Sequence, residues 1–285
     1  MTQVSHVPSL PRTTHLRLRY GPWAIVTGAS DGIGRAIAIE LAAAGLNLVL
    51  VARRKELLDT LSLELRSQHR IAIRVLARDL ADRNAGASIS SETSDLEIGL
   101  LAAIAGFGSS GNFVDRPIGD ELGMIDVNCR SVVELCHHFG RRFAAQHRGG
   151  LVLMSSLLAF QGVPRAASYA ATKSFIQTFA EGLRLELASS GVDVVASAPG
   201  PVRTGFESRA DMRMSAAADP VVVARQTLAA LGRHGTVRPG FLSKVLEASL
   251  APLPRWGRSR IMALVMGGMT RHQDGEQRQQ ERRPA

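Results

Sequence analysis

Tyrosine and lysine stand at a reactive spacing once in this chain. Tyr169-Ala170-Ala171-Thr172-Lys173 puts a phenol and an ammonium four residues apart. On a helix that is an i, i+4 pair on one face, with Cβ atoms about 6 Å apart. A free phenol titrates near 10 and is a poor base at neutral pH, but a neighbouring cation favours the phenolate. Bringing the phenol down to about 7 takes roughly 4 kcal/mol of differential interaction, which a desolvated pocket with a fixed cation can supply. The bland alternative is a chance pair on an exposed helix face. Scarcity argues against it: the 285 residues include two tyrosines, Tyr20 and Tyr169, and three lysines, Lys55, Lys173 and Lys244. Tyr20 falls in an N-terminal stretch expected to be a flexible arm (residues 1–20). That leaves Tyr169 as the expected single tyrosine of the folded body.

Two polar residues belong with the pair. Ser156 ends an apolar run thirteen residues before Tyr169. Ligands in α/β sheets sit at the carboxyl ends of strands. Asn128 interrupts a helical stretch of Ile125, Val127, Val132 and Val133, where asparagine is a poor helix former. A local kink or a satisfied amide would account for it equally well.

A second constellation lies nearer the N-terminus. Thr27-Gly28-Ala29-Ser30-Asp31-Gly32-Ile33-Gly34 links a short apolar run to a helical pattern. Glycines there let the backbone turn tightly and approach a diphosphate, while the helix N-terminus offers free N–H groups and partial positive charge. A tight turn without a ligand would use the same glycines. The next strand ends in Ala52, Arg53 and Arg54, where a carboxylate would be expected to bind ribose hydroxyls. A guanidinium fork suits a 2′-phosphate instead, so NADP(H) is favoured over NAD(H). A solvated helix start is the alternative reading of the two arginines. Asp79, just after the third strand, could accept a bond from an adenine amino group or equally be a plain helix cap; its neighbour Leu80 is counted with it among the cofactor-binding residues.

The elements that must position these residues follow from the pattern. Strands are expected at Trp23 to Thr27, Leu48 to Val51, Ile71 to Leu76, Ile98 to Ala103, Leu151 to Met154 and Val192 to Ala198. Helices are expected at Gly32 to Ala44, around Leu57 to Leu65, Asp126 to Gln146, Ser168 to Ala188 and Pro220 to Leu231, the last capped by Asp219. Strands that are apolar throughout and alternate with helices indicate a three-layer, doubly wound parallel sheet of the Rossmann-like α/β class. One catalytic domain is expected over residues 21–240, with no repeat or linker. Residues 241–270 read as an apolar helical extension, and 271–285 as a polar disordered tail.

Composition excludes several classes. At 45% hydrophobic and 21% charged, the chain can bury a sizeable core. No run reaches the roughly 18 apolar residues of a membrane span. The first 20 residues lack a clean apolar signal segment. Cys129 and Cys136 make no disulfide framework, so a reducing, cytoplasmic setting is expected. The net charge of +9 is dispersed and arginine-rich, so no nucleic-acid partner is expected.

Taken together, these motifs resemble the short-chain dehydrogenase/reductase family, in its ordinary rather than extended subgroup. The likeness runs from Gly21 to Pro239. It rests on the Thr27–Gly34 loop, Asn128, Ser156, the Tyr169/Lys173 pair and Pro199-Gly200-Pro201-Val202-Arg203-Thr204, all in the family's order. The resemblance implies that Tyr169 gives a proton to a carbonyl oxygen or takes one from an alcohol. Lys173 would lower its pKa and hold the nicotinamide ribose, Ser156 would hydrogen-bond the substrate oxygen, and Asn128 would order a relay water. Gly28, Ser30, Asp31, Gly32, Ile33, Gly34, Ala105, Gly106, Pro199 and Gly200 would contact the cofactor, and Val202 and Thr204 its carboxamide. No metal is implied; a homodimer or homotetramer is. One departure is plain: the usual Asn-Asn-Ala-Gly after the fourth strand is here Ala103-Ile104-Ala105-Gly106, which puts bracing of the sheet and cofactor edge in doubt.

The substrate side is apolar. Phe206, Met212 and Met214 lie in the expected substrate loop, and Leu157, Leu158, Phe160, Val163 and Pro164 separate Ser156 from Tyr169. A small hydrophobic ketone, aldehyde or alcohol is expected, although core packing would claim some of these residues. The extension from Phe241 to Met269 could be a lid, a dimer surface or a membrane-surface anchor. The rivals to an NADP(H)-dependent oxidoreductase are a catalytically idle nucleotide-binding regulator, a membrane-surface-associated lipid- or steroid-type reductase, and a basic nucleic-acid or membrane-binding protein built on the same fold.

Overall fold

A computed structural model describes residues 12–213 and 217–273. Helix α1 (Arg12–Tyr20) precedes strand β1 (Trp23–Thr27) and helix α2 (Gly32–Ala43). Then come β2 (Asn47–Ala52), α3 (Lys55–Gln68), β3 (Ile73–Ala77), α4 (Ala85–Glu92) and β4 (Ile98–Ala103). The second half holds α5 (Ile118–Ile125), α6 (Ser131–Ala145), β5 (Gly149–Met154), α7 (Ala167–Ala188) and β6 (Val192–Ser197). It closes with α8 (Phe206–Ala210), α9 (Pro220–Ala230), β7 (Thr236–Val237), α10 (Phe241–Leu250) and α11 (Arg255–Met269).

The strands form one parallel sheet in the order β3-β2-β1-β4-β5-β6-β7. Both faces are covered, and strand periodicity decides which residue feeds which core. Ala24, Val26, Leu48 and Leu50 meet α2, α3 and α9 through Ile37, Leu41, Leu58, Leu61 and Leu228. Ile25, Val49 and Val51 meet α4, α6 and α7 through Ile89, Leu135, Phe139 and Ile176. This is the three-layer Rossmann-like fold expected from the pattern. The chain leaves β3, crosses the sheet and re-enters at β4, so a crevice opens at the carboxyl ends of β1 and β4.

Local rules explain the ends of the helices. The Asp31 carboxylate caps α2, accepting from the Gly32 N–H at 2.7 Å. Gly45 takes the left-handed turn after it (φ +80°). Asp219 caps α9 as expected, accepting from the Val221 N–H at 2.8 Å. The stretch expected as one helix from Asp126 differs. Residues Asp126–Arg130 form a single π turn joining α5 to α6, and the Ser131 N–H reaches back five residues to the Asp126 carbonyl. The two-residue β7 and the short α4 and α8 carry too little pattern to be seen in the sequence.

The N-terminal arm is corrected in part. Residues 12–20 form α1, and Tyr20 is fully buried. Its hydroxyl donates to Asp193 Oδ2 at 2.7 Å, which also accepts from Arg19 Nε at 2.7 Å. A Cβ on Gly99 would strike the Tyr20 carbonyl, and one on Gly150 would come within 3.0 Å of its ring. Small residues at the starts of β4 and β5 thus make the slot for Tyr20, at the end of the sheet opposite the crevice. Tyr169 is therefore one of two tyrosines in the folded body. The tail is corrected likewise over its first residues. His272 Nε2 lies 2.9 Å from Asp211 Oδ1, and Gln273 Nε2 donates to Ser110 Oγ at 2.8 Å. The remainder of the arm and of the tail lies outside the described residues, as does Met214.

Candidate active site

Strand β5 delivers the first group. Its last residue, Met154, is followed by Ser155 and Ser156, and the Ser156 hydroxyl accepts from the Leu158 N–H at 3.2 Å. Helix α7 then starts two residues before Tyr169, which brings Tyr169 and Lys173 into its first two turns, both buried. The Ser156 hydroxyl hydrogen-bonds the phenol. Lys173 Nζ donates to the Met154 carbonyl at 2.8 Å and lies 5.7 Å from the centre of the Tyr169 ring. One strand end and one helix start thus converge on a Ser–Tyr–Lys cluster.

Burial sets the protonation states. It pushes the Tyr169 phenol up to about 12, opposed in part by the Ser156 hydrogen bond. It pulls Lys173 down to about 8. Near neutral pH the phenol is protonated and the lysine mostly charged, the arrangement of a proton donor beside a cation. Burial outweighs the opposing Ser156 hydrogen bond, so the phenol is not brought down as the spacing argument expected.

Asn128 stands one layer behind. The π turn adds a residue to the helix and turns this side chain inward, where it is buried. Its Nδ2 donates to the Phe107 carbonyl at 2.8 Å and to Thr172 Oγ1 at 3.1 Å, while its Oδ1 accepts from the Phe107 N–H at 3.1 Å. The amide therefore ties the segment after β4 to α7. Gly106 is needed there, since a Cβ would sit 2.9 Å from Asn128 Oδ1 and 3.3 Å from Lys173 Nζ.

A single cleft of about 780 Å³ runs from this cluster to the glycine loop, and every residue expected to hold a cofactor or react lines it except Asn128. The loop fits the close approach a dinucleotide needs. Gly28 (φ +68°) lies so near Ala105 that a Cβ would come within 2.9 Å of its Cα, and a Cβ on Gly32 (φ +53°) would meet Thr204 at 2.6 Å. At the far end, Arg53 Nη1 stands 3.8 Å from Asp79 Oδ2. Arg54 Nη2 donates to Ser30 Oγ at 3.3 Å and lies 3.9 Å from Asp31 Oδ2. Both guanidiniums are more than half exposed and open to the cleft. Asp79 also accepts from the Ala81 N–H at 3.0 Å, and so holds its own turn.

The brace on the segment after β4 was missed in the sequence. Thr27 Oγ1 accepts from the N–H groups of Ile104 at 3.0 Å and Ala105 at 3.1 Å. A hydroxyl from β1 thus braces the segment whose two amides this chain lacks. Leu157, Leu158 and Phe160 line the cleft, whereas Val163 is buried in the apolar cluster beside it and Pro164 faces outward. The Phe206 ring lies 5.3 Å from the Tyr169 ring, tilted by 51°, and Met124, Met212, Met262 and Met266 complete an apolar cluster around it. Met262 and Met266 come from α11, so the C-terminal extension forms part of the cavity wall. Only their four-residue spacing could have pointed there.

Comparison with known proteins agrees with this geometry. Residues 22–214 match the model for the short chain dehydrogenases. The 7beta-hydroxysteroid dehydrogenase of Clostridium sardiniense is 35% identical over 190 residues, covering 67% of this chain and 73% of that protein. The very-long-chain 3-oxoacyl-CoA reductase of Homo sapiens is 28% identical over 240 residues, covering 83% of this chain and 77% of that one. A solved 7beta-hydroxysteroid dehydrogenase superposes with a TM-score of 0.80 at 29% identity, covering 87% of this chain and 98% of that chain. A short-chain dehydrogenase from Sphingobium yanoikuyae, in complex with NADPH, gives 0.74 at 28% identity, with 82% and 97% coverage. The bulky-bulky ketone specific alcohol dehydrogenase of Comamonas testosteroni gives 0.71 at 28%, with 82% and 96% coverage. With the family model spanning most of the fold and the Ser156, Tyr169 and Lys173 cluster lying inside it, this chain belongs to the short-chain dehydrogenase family of oxidoreductases.

Proposed function

We propose that this protein interconverts bulky apolar ketones and their secondary alcohols with NADP(H), using Tyr169 as proton donor and acceptor. The observation that carries the reading is the single cleft. It joins Ser156, Tyr169 and Lys173 to an apolar wall at one end and to Arg53 and Arg54 at the other. A hydroxysteroid is a fitting substrate class, in keeping with the 7beta-hydroxysteroid dehydrogenases among its relatives.

The residues divide the work. Gly28, Gly32 and Gly34 let the loop backbone approach a diphosphate, and Arg53 and Arg54 offer bidentate donors to a 2′-phosphate. Thr204, Val202 and the Pro199–Gly200 turn would hold the nicotinamide end, and a reduced nicotinamide there would supply the hydride. Ser156 donates to the substrate oxygen and fixes it beside Tyr169. The Tyr169 phenol gives its proton to that oxygen as negative charge develops on it, and the Lys173 ammonium stabilises the phenolate left behind. Asn128 positions this machinery through Phe107 and Thr172.

Two measurements test this. A panel of apolar ketones and alcohols should yield turnover followed at the NADPH absorbance band, with NADPH preferred to NADH. Tyr169→Phe keeps the ring against Phe206 and should lower kcat about 10³-fold, the scale of lost general acid catalysis, while dinucleotide binding persists. Full activity in that variant would rule out the mechanism.

A further inference from the structure

Helices α10 and α11 are apolar on the side that faces the cavity and also on the side that faces away. On α11, Met262 and Met266 point inward and are buried, while Trp256 and Leu264, eight residues apart, stand outward at 65% and 79% exposure. Between them Arg260 is exposed, with its guanidinium 5.2 Å from the centre of the Trp256 ring. On α10, Phe241 and Val245 share a face at 84% and 41% exposure. A helix with apolar groups on its solvent side has an unmet partner.

Charge identifies the partner. Residues 241–273 carry Lys244, Arg255, Arg258, Arg260 and Arg271 against one acidic residue, Glu247. A second copy docked on this face through a two-fold axis would set these cations against themselves. An anionic bilayer accepts both features, taking apolar side chains into the headgroup boundary and cations onto its surface. Tryptophan is well suited to that boundary, with an apolar body and one polar N–H. Among the described residues no helix is long and apolar enough to cross a membrane.

We propose that α10 and α11 form a docking surface for anionic membranes. Phe241, Trp256 and Leu264 insert at the boundary, and Lys244, Arg255 and Arg260 contact the headgroups. The surface has a consequence for the proposed reaction, and this part rests on the reading above. The same two helices wall the substrate end of the cleft through Leu246, Leu250 and Met262. Docking therefore brings the apolar cavity against the lipid in which an apolar ketone would dissolve.

The test is co-sedimentation of the whole protein with vesicles of phosphatidylcholine alone and of phosphatidylcholine mixed with phosphatidylglycerol. Binding is expected to the mixed vesicles and to weaken with salt. The double variant Arg255→Gln/Arg260→Gln should lose about 25-fold in partitioning, roughly fivefold per cation near the surface. Trp256→Ser/Leu264→Ser, at exposed positions outside the cleft, should abolish sedimentation and leave turnover of a water-soluble ketone unchanged. Wild-type protein that stays in solution with the mixed vesicles would overturn the proposal. So would a concentration-dependent dimer that the Trp256/Leu264 variant dissolves without any vesicle binding. Vesicle binding by a protein that turns over no ketone would uphold the surface and refute the proposed reaction instead.

Discussion

The charge on Lys173 should set the alkaline limit of carbonyl reduction. The ammonium is buried between α7 and the end of β5, and among the described residues its hydrogen bond goes to a neutral acceptor, the Met154 carbonyl. Burial therefore costs it hydration without an ion pair to offset the loss, and its pKa falls from 10.5 to about 8. That change corresponds to about 3 kcal/mol of disfavoured charge. The sign follows directly. Below about pH 8 the cation is present and stabilises the phenolate formed when Tyr169 gives up its proton; above it the cation is lost. The phenol itself, held up near 12, stays protonated throughout this range. The rate of reduction at saturating ketone and NADPH should then be flat on the acid side of about 8 and fall toward a tenfold drop for each further pH unit. Initial rates of NADPH consumption in constant-ionic-strength buffers from neutral to strongly alkaline pH measure this. Lys173→Arg retains a cation at every pH used, and should remove the alkaline fall whatever its residual rate. An alkaline limb of the same midpoint in that variant would refute the assignment to Lys173. So would a wild-type rate that stays level well above pH 8 while the fold remains intact.

Three further outcomes are expected. Arg53→Asp replaces a donor open to the cleft by a carboxylate and should raise the KM for NADPH about 10- to 100-fold, the scale of one lost charged contact, and shift preference toward NADH; paired KM values for the two dinucleotides check it. Thr27→Val leaves the N–H groups of Ile104 and Ala105 without their acceptor and should cost about 2–4 kcal/mol in a denaturant titration. Tyr20→Phe removes a donor to Asp193 and should cost about 1–3 kcal/mol of stability with kcat unchanged, separating the structural tyrosine from the reactive one.

Much of the site was legible because its signals are local. The Tyr169/Lys173 spacing works through one helix turn, and the glycine loop works through backbone conformations at Gly28 and Gly32 that other residues rarely adopt. The apolar runs marked the strands because both faces of the sheet are buried. Signals that depend on distant partners were not legible. Nothing beside Tyr20 in the sequence shows that Gly99 and Gly150 would shape a slot for it. Nothing beside Thr27 shows that its hydroxyl would hold a segment 77 residues away. Asn128 was visible as an anomaly in a helix, but the π turn that joins α5 to α6 and turns it inward is not encoded by any local propensity.

By itself, the sequence determined the order of the six longer strands and of the longer helices between them, the chemical types gathered at their ends, and hence the class of reaction. Short-range geometry suffices for these, since a strand, a turn and a helix start each impose spacing on neighbours. Tertiary structure alone decided the protonation of the pair, because desolvation depends on everything packed around it. It also decided that α11 closes the substrate end of the cleft while turning a second apolar face outward. Which residues of a helix are covered depends on what the rest of the chain brings against it.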